Sequence, residues 1–279
     1  MEKIVNQTYD TERALYASRD LEIESCSFKG PSDGESVLKE SKNIKVNKCE
    51  FSLRYPLWHN HNFEVNKCKF DEYSRAPIWY SENGKITATT INSVKAIREC
   101  NNIEVVSSII SSPEFGWKCS LLKLSNCKVV SEYFLLDSKD IEINNLVFKG
   151  KYSFQYVEKA NISNSYLDTK DAFWHSKNIT VINSVIKGEY LGWFSEGLTL
   201  INCKIIGTQP LCYCKGLKLV NCEMIDCDLS FEYSEVEADI KGHIDSIKNP
   251  KSGTITYDSV GEIITSDSIM ENHAKLIKR

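Results

Sequence analysis

The chain repeats itself every nineteen residues. Set NIKVNKCEF, from Asn43 to Phe51, above NFEVNKCKF, from Asn62 to Phe70, and most of the sequence falls into register. DLEIESCSF, NGKITATTI, NIEVVSSII, LLKLSNCKV, DIEINNLVF, KANISNSYL, NITVINSVI, GLTLINCKI and GLKLVNCEM are further copies, nineteen apart from Asn83 to Gly216. A period this short implies a solenoid, because one copy can bury its apolar face only against the copies on either side.

Within each copy apolar residues alternate with polar ones, as in Ile44, Val46, Cys49 and Phe51. Alternation with period two means strand, and nineteen residues leave no room for a pair of helices. The copies open on Asn, Asp or Gly (Asp20, Asn43, Asn62, Asn83, Asn102, Asp140, Asn178, Gly197, Gly216), residue types that accept a left-handed backbone, which marks a corner. A second corner carries Asn126, Asn145, Asn164, Asn183, Asn202 and Asn221 beside a column of small residues that includes Cys26, Cys49, Cys68, Thr89, Ser108, Cys127, Ser184, Cys203 and Cys222. The leucine-rich repeat shares part of this spacing, but where it buries a leucine the copies have Ser41, Asn60, Ser81, Cys100 and Ser176. The remainder of each copy, as in RYPLWH and RAPIWY, is aromatic and proline-marked rather than helical. The expected fold is all-β: a three-sided parallel β-helix, single-stranded, of about 11–12 coils with three parallel sheets. Residues 1–14 are expected to cap it, 15–235 to form the coils, and 236–279 to make a C-terminal hairpin, turning at Asn249–Gly253, with a helix or tail after it.

Composition removes several functions. A net charge of −4 argues against nucleic acid or an anionic membrane as partner. No run of eighteen apolar residues occurs and MEKIVNQTYD has no signal-peptide pattern, so a cytoplasmic protein is expected. Eleven cysteines are an odd number with spacing unsuited to bridging, and they are read as reduced core fillers. Cys212 and Cys214, followed by Cys222 and Cys227, are a weak zinc pattern, and neither metal nor cofactor is expected.

One column breaks the structural monotony. The residues following the inward positions Leu57, Ile78, Ile97, Gly116, Leu135, Phe154, Phe173, Gly192 and Leu211 include all five tryptophans: Trp58, Trp79, Trp117, Trp174 and Trp193. The next position holds His59, Tyr80, Glu99, Lys118, Asp137, Tyr156 and His175, and Arg54, Arg75 and Arg98 lie close by. Aromatic rings at strand spacing beside charges suit a small-molecule or oligosaccharide ligand. Trp58, His59, Trp79, Tyr80, Trp117, Tyr156, Trp174, Trp193, Arg54 and Arg75 are therefore candidate substrate-binding residues. Glu99, Asp137, His175, Arg98 and Lys118 are the catalytic candidates for a glycoside hydrolase or polysaccharide lyase. Two coils separate Glu99 from Asp137, about 9–10 Å, near the spacing of an inverting pair, but Lys118 between them favours a salt-bridged ladder instead. The competing reading is a non-enzymatic scaffold, with the aromatic face an interface in a homo-oligomer or toward another partner.

The segments RYPLWH, RAPIWYSENG, SPEFGWKC, KDAFWHSKN, GEYLGWFSE, TQPLCYCKGL and EADIKGHIDSIKNPKSG closely resemble a bacterial family catalogued as domain of unknown function 3737, over nearly the whole chain. The resemblance implies a right-handed parallel β-helix, similar in architecture to pectin-lyase-like proteins. It implies no established activity and brings no catalytic residues.

Overall fold

A computed structural model of the chain describes residues 1–30 and 35–279. Every regular element among them is a strand, which excludes the leucine-rich alternative. The chain divides into two units, Met1–Glu142 and Ile143–Arg279.

In the first unit the strands Glu2–Val5, Arg19–Glu24, Lys42–Asn47, His61–Asn66, Glu82–Thr87, Asn101–Val106 and Ser120–Ser131 stack in parallel, one per turn. In the second, Glu158–Ser163, Lys177–Ile182, Thr199–Ile201, Leu217–Ile225, Glu235–Lys248, Ser252–Ile264 and Lys275–Lys278 do the same. Together the units supply about 14 turns, more than the 11–12 expected. The additional turns come from the chain ends. Residues 2–9 pair as two strands of a first rung, and Glu235–Lys248 pairs in parallel with Ser252–Ile264, Glu235 opposite Ser252. The expected hairpin is therefore wrong: a tight hairpin turn joins antiparallel strands only, and Asn249, at φ 39, is one more corner. The expected helix or tail is the last strand of the stack.

Side chains of one kind line up because every nineteenth residue takes the same place. Phe28, Phe51 and Phe70 stack inside at 4.8 and 4.7 Å, each fully buried and contributing about 1.5–3 kcal/mol. Gly84 sits beneath Phe63, where an added Cβ would lie 2.2 Å from the ring. Outside, Lys3, Glu22, Lys45, Glu64, Lys85, Glu104, Lys123 and Glu142 form one row of alternating charge on consecutive turns. They pair at 3.0 Å (Lys3–Glu22), 3.1 Å (Lys45–Glu64), 3.0 Å (Lys85–Glu104) and 3.3 Å (Lys123–Glu142).

The cysteine column has a polar reason as well as a steric one. Thr89 donates its hydroxyl to the Thr87 carbonyl at 2.9 Å and accepts the Cys68 N–H of the turn before. Cys68 does the same through sulfur, donating to Asn66 and accepting from Cys49. Ser, Thr and Cys are the small side chains that both donate and accept at this corner, and the buried Leu146 takes the same place on one turn. Burial pushes Cys212 up to about 12, Cys214 to about 11, Cys222 to about 11 and Cys227 to about 12, so these thiols stay protonated.

The third side is regular strand in the first unit only, as Leu57–Trp58, Ile78–Trp79, Ala96–Arg98, Glu114–Trp117 and Tyr133–Phe134. In the second unit this side is a run of turns in which every second residue has positive φ: Tyr152, Phe154, Tyr156; Asp171, Phe173, His175; Tyr190, Gly192, Phe194; Gln209, Leu211, Tyr213. Left-handed backbone at a non-glycine residue costs about 1–2 kcal/mol, so the turns need compensating bonds. The buried Ser, Asn and Cys column supplies some of them. Cys214 donates to the Gly192 carbonyl at 3.1 Å and Ser234 to the Leu211 carbonyl at 2.7 Å.

Candidate functional site

The tryptophans belong to the same bonding system. Trp117, Trp174 and Trp193 donate their indole N–H to the backbone carbonyls of Tyr133, Tyr190 and Gln209 at 3.0, 2.7 and 2.7 Å. Gln155, in the same column, bonds the Asp171 carbonyl at 3.1 Å. Their faces are occupied too. In the second unit Trp174 lies on Trp193, 5.4 Å apart and 5° from parallel. In the first, Trp58 lies on Trp79 at 5.6 Å, the Lys39 ammonium caps Trp58 at 4.1 Å, and the Arg98 guanidinium stands between Trp79 and Trp117 at 5.9 and 5.1 Å. Each indole of the column thus has at least one face covered by a neighbouring side chain.

Arg98 also ion-pairs with Glu99 and Glu114, each at 3.3 Å. The ladder expected of Glu99, Lys118 and Asp137 does not form: Glu99 turns to Arg98, and Lys118 and Asp137 stand exposed without a described side-chain bond. In the second unit His175 lies between Tyr156 and Phe194 at 5.1 and 5.0 Å with all three rings within 8° of parallel. Its ring faces are thus used in stacking. Arg54 and Arg75 line a separate cleft of about 450 Å³ with Lys29, Glu72 and Tyr73.

Beside the tryptophan column of the first unit lies a cleft of about 350 Å³, lined by Glu40, His59, His61, Tyr80, Glu82, Glu99 and Asn101. It straddles the corner between the third side and the long strands. His59 Nδ1 bonds Glu40 at 2.9 Å, and His61 Nδ1 bonds Glu82 at 2.7 Å, so each imidazole is oriented by a carboxylate on a neighbouring turn. Tyr80 lies flat on Trp79, ring centres 5.1 Å apart and 12° from parallel, yet remains 40% exposed. Its phenol is raised by partial burial and then by the neighbouring Glu99 carboxylate. Tyr80, His59 and Glu99 come from the sequence-derived column. His61, Glu82 and Asn101 do not, because the strand following the corner reads as scaffold throughout. Their signal was the recurrence of His61 and Glu82 one position before the corner asparagines Asn62 and Asn83.

A family model described as "Protein of unknown function (DUF3737)" matches residues 2–278. No curated protein matches the chain. Among solved structures, PfbA, a surface adhesin of Streptococcus pneumoniae, is 10% identical with a TM-score of 0.35, covering 94% of this chain and 77% of its own. The catalytic domain of a GH87 alpha-1,3-glucanase in complex with nigerose is 9% identical with a TM-score of 0.28, covering 99% and 63%. QnrB1, a plasmid-mediated fluoroquinolone resistance protein, is 9% identical with a TM-score of 0.18, covering 85% and 91%. Likenesses of this size assign no activity.

Proposed function

Because the chain belongs to the DUF3737 family, whose description carries no activity, we propose a function from the cleft alone: it binds a carbohydrate, with one sugar ring against Tyr80. The observation that carries this reading is the Tyr80 ring, held flat by Trp79 and still 40% exposed, with oriented polar groups at its edge. A sugar presents an apolar face of C–H groups and a rim of hydroxyls. The ring takes the first. Glu40, Glu82 and Glu99 accept from the second, while the imidazole nitrogens of His59 and His61 turned away from their carboxylates face hydroxyl partners. A volume of about 350 Å³ suits one or two sugar units.

The reading is binding rather than turnover. Glu99 is tied to Arg98, an arrangement that fixes acceptor oxygens. Titration calorimetry against a panel of neutral mono- and oligosaccharides tests it. Tyr80→Ala should abolish binding, and Trp174→Ala, in the other unit, should leave it unchanged. No heat with any saccharide from the folded protein would sink the proposal.

A further inference from the structure

The second unit carries an exposed aromatic stripe that the carbohydrate reading does not use. Tyr156, His175, Phe194 and Tyr213 occupy the same place on four consecutive turns, with ring centres 5.1, 5.0 and 4.8 Å apart and planes within 11°. Tyr156 is 54% and Phe194 41% exposed. Since the rings cover one another's faces, solvent meets a row of ring edges. Two residues after each ring stands a charge: Glu158, Lys177, Glu196 and Lys215, in alternation and also one per turn. Glu196 lies 3.9 Å from Lys177 and 3.7 Å from Lys215, and all three side chains remain about half exposed or more. An apolar stripe beside a polar row is the composition of an interface core and its rim.

From these two rows we infer that the second unit docks face to face on a second copy of this chain, in antiparallel orientation. A two-fold axis lying in the contact plane, perpendicular to the direction in which the turns stack, sets each row opposite itself in reverse order. Reversal of an alternating row with an even number of members brings opposite charges together throughout. Glu158 meets the second copy's Lys215, Lys177 meets its Glu196, and the inverse pairs follow. In the same register Tyr156 faces Tyr213 and His175 faces Phe194, so ring edges meet ring edges. A slip of one turn puts like charges opposite, and a parallel arrangement sets the aromatic row beside the charged one. The row therefore selects one orientation and rules out any slip by an odd number of turns.

Sedimentation velocity on the full chain tests this inference independently of any sugar. The unchanged protein should sediment as a dimer. Phe194→Ser should weaken the dimer about tenfold or more. Glu196→Lys should do likewise, by opposing the second copy's Lys177. The double variant Lys177→Glu/Glu196→Lys restores every cross-pair of this register and should recover the dimer. Circular dichroism melts confirm that each variant is folded. A monomer at the highest soluble concentration, a dimer indifferent to Phe194→Ser, or a folded double variant that stays monomeric would each overturn it.

Discussion

The indole Nε1–H of Trp174 donates to the backbone carbonyl of Tyr190, sixteen residues ahead, at 2.7 Å. Tyr190 has a φ of 58°, and a left-handed residue in a run of turns depends on such a side chain to satisfy its carbonyl. Trp58 and Trp79 share the column, but their indole N–H groups are buried with no acceptor among the described residues. Trp174→Phe should therefore cost about 1–3 kcal/mol more than Trp79→Phe, since only the first loses a made bond. Urea unfolding of the two variants measures the difference, and equal losses would assign the column to packing alone.

The corner thiols should be replaceable by hydroxyls but not by methyls. Cys68 accepts the Cys49 N–H at 3.4 Å and donates to the Asn66 carbonyl at 3.3 Å, the two bonds that Thr89 makes one turn on. Cys68→Ser is expected to change stability by less than about 0.5 kcal/mol, and Cys68→Ala to cost about 1–3 kcal/mol. Thermal melts of both variants decide, and an equal cost would show that volume alone matters.

Asp171 is 7% exposed at φ 53, and burial raises its carboxyl above the ordinary 3.8, against the smaller opposing effect of Lys170. A raised carboxylate pKa means that folding penalises the ionised form. The penalty is full above the folded pKa and absent below 3.8. Asp171→Asn removes the charge and keeps a residue suited to left-handed backbone, so it should stabilise by about 0.5–1 kcal/mol at neutral pH. The gain should vanish in acid. Melting curves at pH 7 and pH 3 would contradict this if the two proteins matched at both.

The last strand, Lys275–Lys278, is pinned by Arg279, which bonds Asp239, and Asp258 at 2.7 Å. Arg279 lowers the Asp239 carboxyl, while the Gly242 N–H and then Arg279 lower Asp258. With folded values depressed, the stabilisation is complete above 3.8 and is lost as pH falls below it. Hydrogen exchange at Leu276 and Ile277 should therefore accelerate in acid before the rest of the sheet. Arg279→Gln should produce the same local opening at neutral pH. Protection that falls together with the whole sheet in both experiments would contradict the pin.

Alternation of Ile44, Val46 and Phe51, repeated every nineteen residues, was enough to read the stacking, the inward rows and the corner asparagines. The conformation of the third side was not legible. Phe173 and Leu211 point inward as alternation implies, but their φ values are 62° and 63°, and apolar pattern carries no information on the sign of φ. The turn signal at Asn249–Gly253 was real, yet a corner and a hairpin use the same residues. The tryptophan column was visible as a column, while its acceptors lie on the next turn and left no trace in local sequence. Tyr80 and His59 could be found that way. His61 and Glu82 became part of the cleft only once the corner brought them beside that column.

The alternating row from Lys3 to Glu142 bears on how such a molecule can change length. Solenoids grow by duplicating coils, and here removing or copying a single coil would set two lysines or two glutamates side by side at a spacing of about 4.8 Å. Adding or losing coils in twos leaves the sequence of signs intact. The charge row thus acts as a parity rule on the gene: relatives that keep it should differ in this unit by even numbers of coils.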